Sequence, residues 1–220
     1  MDYYPIYLSF KLAMVTTLIL VFLACPMASL LAYSQFRGKP FLEALVNLPL
    51  VLPPTVLGYY LLLFMGPRGP MGALFEGVTG ERLIFSFPGI VLASLVYSLP
   101  FAVQPLKNAF ERLDTRLIET AYVLGLSRTK TFFRVILPNS VGGLMVAIIL
   151  TFAHTVGEFG VVLMVGGSIP KETKVASIAI YEYVESLRYH EANLISLLLS
   201  VLSYLVLVLV FFLNGRERRC

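Results

Sequence analysis

Leu113-Asp-Thr-Arg-Leu-Ile-Glu-Thr-Ala-Tyr-Val-Leu-Gly-Leu-Ser-Arg-Thr-Lys-Thr-Phe-Phe-Arg-Val-Ile-Leu-Pro138 is the longest polar-containing stretch between two strongly apolar ones. It carries Arg116, Arg128, Lys130 and Arg134 against only Asp114 and Glu119. Leu117, Ala121 and Leu124, then Phe132, Phe133, Ile136 and Leu137, recur at helical spacing. Asp114 is placed to cap one short helix and Gly125 to stop it in the left-handed conformation. Ser127 is placed to cap a second helix, and Pro138 ends that helix or opens the next. The pattern therefore predicts helix, tight turn, helix on one face of a membrane. By charge alone it is a solvated basic loop.

The composition explains why a membrane enters at all. Of 220 residues, 58% are hydrophobic and 14% charged, where a soluble domain carries about 25% charged residues. Mean hydropathy is +0.83. We read an all-α integral membrane protein, with residues 1–220 as one transmembrane domain. The net charge of +4 does not suggest nucleic acid, because the basic residues flank apolar spans instead of forming one stripe. Cys25 and Cys220 give neither a disulfide framework nor metal spacing. Met1-Asp2-Tyr3-Tyr4 lacks the basic start of a signal peptide.

A bilayer needs about 20 apolar residues per helix. Five stretches qualify: 8–31, 45–65, 83–106, 141–165 and 193–213. Lys11 is the only charge in the first and snorkels to the interface. The second contains Pro49, Pro53 and Pro54, followed by Thr55 and Gly58. Such prolines remove backbone donors and bend the axis. This is either a kinked packing helix or a discontinuous helix lining a pathway. Gly66 to Arg82 reads as a loop. The third span is uncharged despite Pro88, Pro100 and Pro105.

The fourth span holds His154, Gly157, Glu158 and Gly160. An ionisable pair inside a span is expensive and points to function. If the helix continues, His154 and Glu158 share a face and can pair; Gly157 and Gly160 allow close helix packing or a local break. Glu158 satisfied by nearby backbone donors is the structural alternative. Val175, Ile178, Ala179 and Glu182 suggest a short interfacial helix. Asn214 and Gly215 end the last span, before the tail Arg216 to Cys220.

Five spans put the termini on opposite sides. One side carries eleven basic residues in and around its loops and the other five. The richer side is cytoplasmic. The N-terminus is then outside, and the C-terminus and the 113–138 stretch are inside. No nucleotide-binding glycine loop, metal-spaced histidine pair or serine elbow occurs. Energy must therefore come from a gradient or from another chain.

Glu119-Thr120-Ala121, three residues, Gly125, nine residues, then Val135-Ile136-Leu137-Pro138 resembles the coupling motif of binding-protein-dependent ABC importer permeases. Thr120 and Val135 are mild departures from it. The stretches Leu48 to Tyr59, Gly66 to Gly72, Gly157 to Gly160 and Ile169 to Thr173 resemble the molybdate permease subfamily. Relatives often carry Arg where this chain has His154, which puts a fixed Arg–Glu pair in doubt.

The resemblance implies the type I ABC importer permease fold with a cytoplasmic coupling helix pair, in a prokaryotic cytoplasmic membrane. It implies coupling through Glu119, Thr120, Ala121, Gly125, Leu137 and Pro138. Pro53, Pro54, Thr55, Gly58, His154, Gly157, Glu158 and Gly160 are the candidate pathway or gate. Its implied partners are a second copy, two ATP-binding subunits, and a periplasmic or lipid-anchored molybdate-binding protein. ATP and Mg would sit in the partner subunit. This chain would bind no cofactor and catalyse nothing by itself. Cargo would be molybdate or tungstate. Sulfate, thiosulfate or another oxyanion is the alternative cargo. A proton-driven secondary transporter or a membrane-embedded enzyme is the alternative class.

Overall fold

The computed structural model describes residues 3–217. Tail residues Arg218 to Cys220 lie outside the described residues. The described residues form helices joined by short turns, with no strand among them.

α1 (Tyr4–Tyr33) opens on Pro5, whose missing N–H costs nothing at a helix start. It extends the first expected span at both ends. α2 (Lys39–Val51) and α3 (Pro54–Met65) are the two halves of the second, bent by 113°. The break has a local cause. A residue before proline is pushed out of the helical region, and here Leu52 and Pro53 both precede one. Both are extended, with ψ of 136°.

The stretch expected as a loop contains a helix, α4 (Pro70–Thr79). Pro70 starts it and Gly80, at φ 74°, stops it. The Gly and Pro that read as loop signals are its boundary residues. α5 (Phe87–Glu111) is the third span, four residues later than expected, because Ser86 caps it by accepting from Gly89 N–H. It continues through Pro100 and Pro105.

Next come α6 (Thr115–Val123), α7 (Arg128–Thr131), a π-helical stretch (Phe132–Ile136) and α8 (Leu137–Asn139). The axis then bends by 75° into α9 (Val141–Val156). The fourth span is not continuous to residue 165. It breaks at Gly157–Phe159 and resumes as α10 (Gly160–Gly166). α11 (Ala176–Glu185) is the expected short helix. α12 (Tyr189–Glu217) runs past Asn214 and Gly215, which therefore do not end it.

Three helices are long and apolar enough to cross a membrane, and five spans result if each bent pair counts once. α1, α5 and α9 pack together as the centre, and α3 packs on α10. Fully buried Ala13, Ala24, Ala28, Ala93, Ala102 and Ala147 let the backbones approach closely. An inner core forms around Leu20, Leu31, Val46, Leu106, Phe110 and Ile136. Two others surround Leu12, Ile90 and Val162, and Leu57, Val161 and Val165.

Candidate functional site

The two breaks in the bundle face each other. A Cβ on Gly160 would lie 2.9 Å from Pro54 Cβ, and one on Gly58 would lie 2.7 Å from Met164 Cβ. Only glycine allows α3 and α10 this approach. Beneath their junction is a cavity of about 550 Å³. A water occupies about 30 Å³ in liquid, so the space could hold on the order of 20 waters.

Six of the eight residues singled out for a pathway line this cavity: Pro54, Thr55, His154, Gly157, Glu158 and Gly160. Two do not. Pro53 sits in the exposed break, and Gly58 is buried against Met164. Tyr97 also lines the cavity.

His154 and Glu158 do not pair. α9 ends at Val156, so Glu158 leaves the helical register that would have placed it over His154. His154 stacks on Phe101 at 4.0 Å between ring centroids and lies 4.8 Å from Tyr97. Its Nδ1 is 2.9 Å from Ser98 Oγ, which is 2.9 Å from Thr155 Oγ1. Thr155 donates its hydroxyl proton to Thr151 O. Ser98 must then donate to Thr155, and His154 must donate from Nδ1–H to Ser98. The tautomer follows from donor accounting.

Glu158 is 3% exposed, and neither carboxylate oxygen has a hydrogen-bond partner. The expected backbone donors are absent. Ser94 lies beside the carboxylate without aligned geometry, its own hydroxyl also unpartnered. The Glu158 carbonyl accepts from Ser177 Oγ at 2.5 Å, tying the break to α11. Ser94, Tyr97 and Ser98 were missed from sequence. The available signal was their spacing on one side of the otherwise apolar first part of α5, residues 87–103.

The 113–138 stretch, expected to be the coupling segment, is a second, separate candidate site. Asp114 Oδ1 accepts from Arg116 N–H at 3.0 Å. Gly125 has φ 81°, Leu126 N–H donates to Ala121 O, and Gly125 N–H donates to Tyr122 O. That pair of bonds is the Schellman stop. Ser127 Oγ accepts from Lys130 N–H at 3.4 Å. The apolar set divides. Phe132 and Ile136 join the inner core and Ala121 is buried, while Leu117, Val123, Leu124 and Phe133 are exposed. Glu119, Thr120, Gly125 and Pro138 are exposed, Leu137 is half-buried, and Ala121 is buried.

Residues 12–216 match the family described as binding-protein-dependent transport system inner membrane component. The chain belongs to that family. It is 46% identical over 210 residues to the molybdenum transport system permease protein ModB of Azotobacter vinelandii, covering 96% of this chain and 93% of that one. A probable sulfate transport system permease protein cysT of Prototheca wickerhamii is 33% identical, over 83% of this chain and 70% of that one. The fold is similar to a crystal structure of a bacterial ABC transporter that imports the acidic polysaccharide alginate. The TM-score is 0.73 at 20% identity, over 98% of this chain and 78% of that one. This family member is thus an ABC importer permease of the type I fold in the inner membrane, and ATP hydrolysis resides in a separate subunit.

Proposed function

We propose that the chain carries molybdate, and by the same chemistry tungstate, inward across the cytoplasmic membrane. The carrying observation is the near full-length likeness to ModB of Azotobacter vinelandii, which exceeds the likeness to the sulfate relative in both identity and coverage. Two copies form the pore with two ATP-binding subunits, which hold ATP and Mg. A periplasmic or lipid-anchored binding protein delivers the anion. The N-terminus is outside and the coupling segment inside.

The cavity between the two broken helices is the pathway in this reading. Thr55, Tyr97 and the backbone exposed at Gly157 supply neutral polar groups, the Glu158 carboxyl is the one acidic group in the wall, and no Lys or Arg lines it. A doubly charged oxyanion released there meets no fixed cation that would retain it. The exposed Leu117, Val123, Leu124 and Phe133 offer the ATP-binding subunit an apolar ridge. Basic Arg116, Arg128 and Lys130 flank it.

Membrane vesicles holding the whole complex test this. ATP should drive uptake of labelled molybdate well above that of sulfate, and a protonophore should leave it unchanged. Faster sulfate uptake overturns the cargo. Uptake without ATP overturns the mechanism.

A further inference from the structure

α2 is attached mainly through α5. Its buried residues are Val46 and Pro49, whereas Phe41, Leu45, Leu50 and Val51 are exposed. Two polar ties reinforce the α2–α5 seam. Gln104 Nε2 donates to Asn47 Oδ1 at 2.8 Å. One turn nearer the inner end, Lys107 Nζ lies 2.9 Å from Glu43 Oε1 and 3.5 Å from a Glu111 oxygen. The Glu43 contact is an ion pair without aligned hydrogen-bond geometry. Glu43 and Asn47 are four apart on α2, and Gln104 and Lys107 three apart on α5, so each pair occupies one helix face.

The same end of α5 holds the coupling segment. Phe110 is fully buried, with Phe132 edge-on to it at 6.0 Å and 79°. Tyr33 also stacks on it and donates its hydroxyl to Phe110 O at 2.9 Å. Leu113, Ile118, Phe132 and Ile136 join Val46 and Leu106 in one core. The inner end of α5 is therefore gripped by the coupling segment and by α2 together. At its far end α2 stops at Leu52, and α3 turns away to pack on α10. α5 also packs on α10 itself, so movement that α2 shares with the inner half of α5 reaches α3 through Leu52–Pro53, next to the cavity wall at Pro54 and Thr55.

We propose that Glu43, Asn47, Gln104 and Lys107 are positioning residues for transport. They make α2 and the inner half of α5 one rigid arm, which delivers coupling-segment movement to the bend at Leu52–Pro53. This rests on the reading of the chain as an ATP-driven molybdate permease. Ties with a merely structural role would affect assembly, not the yield of transport per ATP. Two-site coupling of this kind is worth 5- to 150-fold where it has been measured.

The complete complex in proteoliposomes, with its ATP-binding and binding-protein subunits, separates the two. ATP hydrolysed and molybdate imported are measured on the same vesicles. Gln104→Leu should leave ATP hydrolysis within about two-fold while molybdate imported per ATP falls about ten-fold. Exchanging the amides, Asn47→Gln with Gln104→Asn, keeps the tie and should restore the yield. Lys107→Met, on the ion-pair tie, should lower the yield in the same direction and guards against misfolding of Gln104→Leu. Normal yields in both single variants overturn the proposal, as does an exchange that assembles but restores nothing. Absence of ATP-driven import by the unaltered complex overturns the functional reading instead, and the proposal with it.

Discussion

Ser98 shows what one hydroxyl does in a bundle with few polar groups. It is fully buried and carries the chain from His154 to Thr155. Ser98→Ala leaves both partners short of one bond at membrane depth. Each buried unsatisfied group costs about 1–3 kcal/mol. We expect Ser98→Ala to lower the unfolding temperature of the detergent-purified protein, with Ser98→Thr closer to the parent. An unchanged melting curve would show that the chain of hydroxyls is not a stabilising feature. None of this was legible beforehand. The sequence places His154 four residues before Glu158 and suggests a pair, but it does not reveal that Gly157 stops the helix between them. Gly125 is the opposite case. Nothing stands near its missing Cβ, so only its positive φ requires glycine, and that requirement is local and readable from the flanking caps.

At the level of elements, boundaries were legible where a residue acts on its own backbone. Asp114 and Ser127 do so, and both helix starts fall where expected; the Pro53–Pro54 pair breaks the second span, which is one of the two readings it allowed. The break at Gly157–Phe159 was legible only as one of two alternatives, because glycine permits a break without compelling one. What stabilises it is tertiary: the packing of α10 on α3 and the Ser177 bond from α11. The loop before α11 is held by Glu182, which bonds both Lys174 and Ser168. Burial pushes the Glu182 carboxyl up, but Lys174 and Ser168 outweigh it and leave it below its ordinary value of 4.5. A carboxylate depressed in the folded state stabilises fully above its unfolded pKa and loses that contribution as pH falls through the folded one. The tie should therefore be intact near neutrality and fail below pH 4.5. Hydrogen exchange of residues 168–182, corrected for intrinsic rates, should be slow at pH 6 and rise on acidification. In Glu182→Gln it should already be fast at pH 6. Equal protection in both proteins at pH 6 would remove Glu182 from this role.

For the molecule as a whole, hydropathy and charge bias are sums over many residues, and both survive local errors. That is why the five expected spans correspond to α1, the bent α2–α3 pair, α5, the α9–α10 pair and α12, even with α4 missed. The cavity is the reverse. It requires two breaks, from chain segments about a hundred residues apart, to meet at one level, and no local pattern encodes that meeting. Sidedness decides whether the two sites lie in the right order along the transport path. In the proposed topology, eleven basic residues on one side against five on the other put the coupling segment inside. In a variant with Cys25 and Cys220 changed to Ser, single cysteines at Tyr3, Val123 and Leu187 report it. All three positions are well exposed. A membrane-impermeant maleimide added to intact spheroplasts should label Tyr3→Cys and Leu187→Cys at once. It should reach Val123→Cys only after permeabilisation. The reverse pattern would place Leu117, Val123 and Leu124 where no cytoplasmic ATP-binding subunit can reach them, and the coupling assignment would fail with the topology.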